Sequence, residues 1–94
     1  MSGTTVQERT YEIVNTLGLH ARAAAQLVQL SQKFEAEVEV GKDDLVVNAK
    51  SIMGVLMLAA AKGTQIVVRT TGADAAPAME AIGELIRNGF WEEG

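Results

Sequence analysis

Ala36-Glu37-Val38-Glu39-Val40-Gly41-Lys42-Asp43-Asp44-Leu45-Val46-Val47-Asn48 is the stretch on which the fold turns. Ala36, Val38 and Val40 alternate with Glu37 and Glu39, the period-two pattern of a strand with one face buried and one in water. Gly41 to Asp44 reads as a turn, and Leu45 to Asn48 as the returning strand of a hairpin. Upstream, from Ala21 to Phe34, the period becomes helical. Ala23, Leu27, Leu30 and Phe34 share one face, and Arg22, Gln26, Gln29 and Lys33 the other. Before that helix, alternation around Tyr11 and Ile13, with Thr10, Glu12 and Val14 between and beside them, predicts a first strand, and Asn15 to Gly18 a loop. Downstream, Ser51 opens a very apolar segment, Ile52 to Ala61, which Lys62 and Gly63 close as a helix C-terminus should end. Gln65 to Thr71 alternates as a further strand. Asp74 is placed to cap a last helix whose stripe is Ala75, Ala78, Ile82 and Leu85, with Pro77 tolerated in the first turn and Gly89 ending it. The order β-α-β-β-α-β-α predicts an α+β fold, an open-faced two-layer sandwich with a four-stranded antiparallel sheet and three helices on one face. Residues 1–94 form one domain, with 1–5 and 91–94 expected to fray.

Composition narrows the function. The net charge of −4 argues against binding a phosphate backbone, so no nucleic-acid partner is expected. The longest apolar run, Ile52 to Ala61, is interrupted by Gly54 and too short to span a bilayer, and no signal peptide is read at the N-terminus. A cytoplasmic monomer is the expectation. With no cysteine and one histidine, neither a disulfide framework nor a zinc site is indicated, and no metal or cofactor is expected. A Ser-His-Asp hydrolase is disfavoured, because the chain lacks a GxSxG elbow and neither Ser31 nor Ser51 has an evident relay.

The one histidine, His20, stands where Leu17-Gly18-Leu19 meets the first turn of the first helix. A helix N-terminus presents unpaired N–H groups and the positive end of its dipole, which together favour an anion. Arg22, two residues on, can offer a planar, permanently charged fork to phosphate oxygens. Gly18 lets the chain approach closely without a Cβ in the way. Imidazole, guanidinium and helix end make a workable phosphoryl acceptor, and the small residues Ala23 to Ala25 leave flat surroundings for a docking protein.

Gly18-Leu19-His20-Ala21-Arg22 resembles the active-site signature of HPr, the phosphocarrier family of the bacterial phosphoenolpyruvate-dependent phosphotransferase system. Asn48-Ala49-Lys50-Ser51-Ile52-Met53-Gly54-Val55-Leu56 resembles the family's second signature, around its regulatory serine. The resemblance implies a stoichiometric carrier, not an enzyme. His20 would bear the phosphoryl group on Nδ1, taken from an enzyme I-type donor and passed to an EIIA-type acceptor domain. Arg22 would steady it, and Ala21 and Arg22 would supply backbone N–H groups. Ser51 would be the site for an HPr kinase/phosphorylase. The docking face would comprise Ala25, Gln29, Ile52, Met53 and Leu56. There are two departures from the family's pattern. Ala23 replaces the usual proline, and Leu17 is more like the nitrogen-related branch than the sugar branch, so both outputs stay open. A purely regulatory, unphosphorylated HPr-like module is the remaining alternative, although such paralogues lack the histidine.

Beyond the resemblance, Ser51 is placed to cap the following helix. Ile52, Met53, Leu56 and Met57 exceed one buried face of a short helix, so part of them should be exposed as a partner site, with Val55 and Leu58 in the core. Since Ser51 and His20 each open a helix, they are expected close together on one docking surface.

Overall fold

Four strands and three helices follow the expected order in the computed structural model, which describes residues 5–92. Strands β1 (Val6–Glu12), β2 (Glu37–Lys42), β3 (Leu45–Asn48) and β4 (Gln65–Thr71) form one antiparallel sheet in the order β1-β4-β2-β3. β4 is central, pairing Val6↔Thr71 through Glu12↔Gln65 with β1 and Glu37↔Thr71 through Gly41↔Val67 with β2. Helices α1 (Ala21–Ser31), α2 (Ile52–Met57) and α3 (Ala75–Arg87) supply the second layer, and Gly89–Trp91 forms a short 3-10 turn. Val38 and Val40 of β2 and Ile66, Val68 and Thr70 of β4 are buried toward the helices, whereas Glu37, Glu39 and Arg69 face water. Ile13, Leu27, Val55, Met79, Ile82 and Phe90 fill the space between the layers.

The structure corrects several element boundaries, each for a physical reason. β1 begins at Val6, four residues before Thr10, where the alternation starts. It is an edge strand, mostly exposed until Tyr11, so burial never imposed a pattern on its first half. The hairpin turn shrinks to Asp43 and Asp44, with Asp43 at φ 54°, and Gly41 and Lys42 join β2. α1 ends at Ser31 and not at Phe34. Its buried stripe is Ala23, Ala24, Leu27, Val28 and Ser31, while Leu30 and Phe34 are half-buried.

α2 stops at Met57, well short of Lys62. Ala59 has a left-handed φ of 48°, and the Lys42 ammonium donates to the carbonyls of Leu58 and Ala59 at 3.1 and 3.4 Å. The helix end is therefore satisfied by a cation from β2. Asp74 occupies the N-cap position of α3 but makes no capping hydrogen bond to that helix. Its carboxylate instead accepts from the backbone N–H groups of Glu35 and Ala36 at 2.9 and 2.7 Å, and these bonds, Glu35 first, hold its pKa below the ordinary aspartate value. The expected α3 stripe of Ala75, Ala78, Ile82 and Leu85 is buried. At the C-terminal end, Trp91 lies within the 3-10 turn and Glu92 is held against His20, where fraying was expected; residues 1–4, 93 and 94 lie outside the described residues.

Candidate functional site

His20 is the N-cap of α1. Its backbone is extended (φ −75°, ψ 179°), its carbonyl accepts the first helical hydrogen bond from Ala24 N at 2.8 Å, and its Nδ1 accepts from Arg22 N at 3.3 Å. The loop before it is fastened by a close approach. Gly18 (φ 67°) lies so near the Ala60 and Ala61 backbone that a Cβ would collide there, and Leu19 N donates to Ala60 O at 2.9 Å. Gly18 thus serves packing against the segment after α2, a role distinct from the open approach expected for it.

The other face of the imidazole meets a residue that the sequence did not flag. Glu92 Oε2 pairs with His20 Nε2, and Glu92 Oε1 accepts from Asn15 Nδ2 at 3.1 Å. Asn15 is buried, and its Nδ2 also donates to Gly18 O at 2.7 Å; two acceptors on that nitrogen fix the amide's orientation. Hydrogen bonding to His20, then to Asn15, holds the Glu92 carboxyl below the ordinary glutamate range. A carboxylate accepts and an amide N–H donates, so the ring carries its proton on Nε2 and keeps a lone pair on Nδ1. No acidic residue lies in the first turn of α1, and Arg22 is exposed and lines the same cleft as His20. Thr16, Leu17, His20, Arg22, Gln26 and the 90–92 segment line a cleft of about 500 Å³. Asn15, Phe90, Trp91 and Glu92 were all missed, because Glu92 lies 72 residues from its partner and no spacing motif announces it.

Ser51 Oγ accepts from Gly54 N at 3.2 Å and so caps α2. Ile52, Met53, Leu56 and Met57 are exposed, at 38, 68, 36 and 65%, while Val55 and Leu58 are buried. On α1, Gln29 is exposed and Ala25 half-buried. Ser51 and His20 are not neighbours, however. Gln32 Nε2 donates to Lys50 O at 3.4 Å and Lys50 Nζ to Phe34 O at 2.7 Å, which sets the start of α2 beside the end of α1. The start of α1 lies instead beside the segment after α2, through Leu19 and Ala60. The helices run antiparallel, so the two caps are separated by the length of the 11-residue α1, on the order of 16 Å.

Comparison with known proteins fits this arrangement. Residues 7–88 match the family model described as PTS HPr component phosphorylation site. The chain belongs to the HPr phosphocarrier family. It is 54% identical over 87 residues to the phosphocarrier protein HPr of Neisseria meningitidis, covering 93% of this chain and 97% of that one. The crystal structure of HPr-C-His from Thermoanaerobacter tengcongensis superimposes with a TM-score of 0.90 at 43% identity, covering 94% of this chain and 99% of that one. An HPr dimer from the same organism gives 0.75 at 43% identity, covering 92% and 99%. In this HPr family member, among the described residues, no helix is long and apolar enough to cross a membrane, and no group of three or more His, Cys, Asp or Glu side chains could hold a metal. The family match ends at residue 88, so Phe90, Trp91 and Glu92 lie outside it.

Proposed function

We propose that this chain carries a phosphoryl group on His20 Nδ1, taken from an enzyme I-type donor and passed to an EIIA-type acceptor. The observation that carries the reading is the ring's polarity: Nδ1 faces the first turn of α1 and, among the described residues, accepts only the 3.3 Å bond from Arg22 N. The Nδ1 lone pair attacks phosphorus as the donor's P–N bond breaks. The backbone N–H groups of Ala21 and Arg22 then turn to phosphoryl oxygens, and the Arg22 guanidinium neutralises their charge. Catalysis of this kind is mostly positioning and electrostatics, which a helix end and an arginine supply without further chemistry. Ala25, Gln29, Ile52, Met53 and Leu56 form the docking face, and the protein works in the cytoplasm as a monomer. Ser51 is the regulatory position for an HPr kinase/phosphorylase. Because it stands a helix length from His20, its phosphate acts on the partner's footprint and not on the reacting nitrogen.

Incubation with enzyme I and phosphoenolpyruvate tests the reading. The protein should gain the mass of one phosphoryl group, labile to acid and stable to base, and His20→Ala should gain none. Uptake by a folded His20→Ala protein would sink the proposal. Leu17, 67% exposed on the rim of the cleft, favours a second reading, a nitrogen-related carrier. Phosphorylation by a nitrogen-branch donor in preference to a sugar-branch enzyme I would decide for it.

A further inference from the structure

Glu92 reaches the imidazole at Nε2, the ring nitrogen opposite the Nδ1 that accepts from Arg22 N, and the chain is built to hold it there. Past α3, Gly89, Phe90 and Trp91 have φ values of 62, 57 and 60°, a left-handed run that two of these residue types rarely adopt. Phe90, 1% exposed, anchors the run in the core. The turn delivers a carboxylate whose two oxygens are both engaged, by His20 Nε2 and by buried Asn15. Asn15 in turn braces the Gly18 carbonyl at 2.7 Å, in the loop that sets the start of α1.

We propose that Glu92 is a positioning residue for His20, keeping the ring proton on Nε2 and balancing the positive charge that the ring gains when Nδ1 is phosphorylated. This rests on the carrier reading above. In the step, the Nδ1 electron pair forms the new N–P bond, and the pair of the broken P–N bond leaves with the donor's nitrogen. The proton stays on Nε2. The ring becomes a cation, and the nearest anion on the Nε2 side is the Glu92 carboxylate. Arg22 neutralises the phosphoryl oxygens from one side while Glu92 neutralises the ring from the other.

The test uses phosphoramidate, a small donor that needs no docking partner and leaves ammonia when its P–N bond breaks. Parent and Glu92→Gln proteins are compared by phosphorus NMR for the rate of phosphohistidine formation. Their Nε2 proton is followed on a ring-labelled sample. In the parent this proton should be visible and slow to exchange. In Glu92→Gln, which keeps an acceptor oxygen but loses the charge, phosphorylation should fall about tenfold, the low end of what loss of a carboxylate behind a histidine costs. In Glu92→Ala the Nε2 proton signal should also be lost to exchange. Equal or faster phosphorylation of Glu92→Gln, with the parent phosphorylated on His20, would overturn the role of Glu92 and leave the carrier reading standing. A parent that takes no phosphoryl from phosphoramidate or from enzyme I would overturn both.

Discussion

His20 and Ser51 hold the same post at the starts of two helices packed side by side, and they fill it differently. Ser51 bonds the third residue of its helix at 3.2 Å, and its neighbour Lys50 spends its ammonium on the Phe34 carbonyl. His20 bonds the second residue of its helix at 3.3 Å, has the exposed Arg22 two residues on and is braced from behind by Glu92. A hydroxyl cap is small, and its bond here goes to the helix it opens. An imidazole cap at that length is a weak bond, and a nitrogen lightly held by one N–H can trade it for phosphorus. What separates the two starts is therefore the second partner, which gives the histidine ring a defined proton and leaves the serine with none.

Exchanging the roles gives the largest effect. His20→Ala should abolish phosphoryl uptake, while Ser51→Ala should keep it, both read by intact mass after incubation with enzyme I and phosphoenolpyruvate. Arg22→Ala should retain its fold by circular dichroism but transfer about a hundredfold more slowly, roughly 3 kcal/mol of barrier, because it removes charge stabilisation from the moving group. Unchanged rates in both directions would make Arg22 a solvated charge. Ser51→Asp sharpens the contrast. At the ionic strength of a cell, screening acts over about 8 Å, roughly half the separation of the two caps. Phosphoramidate should therefore phosphorylate Ser51→Asp within about twofold of the parent, whereas transfer from enzyme I should slow severalfold through weaker docking. Equal slowing with both donors would place the effect at His20 itself. Ser51→Ala should lose about 1 kcal/mol, a fall of roughly 4–8 °C in melting temperature for a domain of this size.

The third helix start gives the smallest effect and the clearest sign. Asp74 caps not its own helix but the backbone of Glu35 and Ala36, which lowers its pKa in the folded state. Between that lowered value and the ordinary one, the unfolded chain binds more protons than the native chain, so stability rises with pH there. The contribution is complete above about pH 4 and lost as the pH falls through the folded value. Glu92 is shifted in the same direction. Asp74→Asn should be less stable at neutral pH yet lose less on acidification, as urea midpoints at pH 7 and pH 3 would report. Parallel losses in the two proteins would show that the carboxylate is not titrating in this range.

Elements with one buried face could be read from the sequence, and those shaped by distant partners could not. The β2–β3 hairpin, β4 and α3 bury alternate or every-third-and-fourth residues, and hydropathy records that. The first half of β1 faces water almost throughout, so no pattern was written into it. α2 is cut short by Lys42, 16 residues upstream of the carbonyl it caps, while the sequence runs on apolar to Ala61. At the site, the short spacing of His20 and Arg22 carries its own signal. Glu92 depends on a left-handed turn and on contact across the whole domain, and neither leaves a mark in local composition. The starts of α1 and α2 could each be found from sequence, but the direction of one helix relative to the other could not, and that direction separates Ser51 from His20.

Trp91, the chain's one tryptophan, is 65% exposed and lines the same cleft as His20. Excitation at the red edge of indole absorption therefore isolates a single emitter at the rim of the site, with no label attached. Its emission should shift to the blue when a partner excludes water from the cleft and change in intensity when the neighbouring ring acquires charge. The molecule thus carries its own optical gauge of occupancy, fast enough to be read in a stopped-flow mixer while phosphoryl transfer is under way.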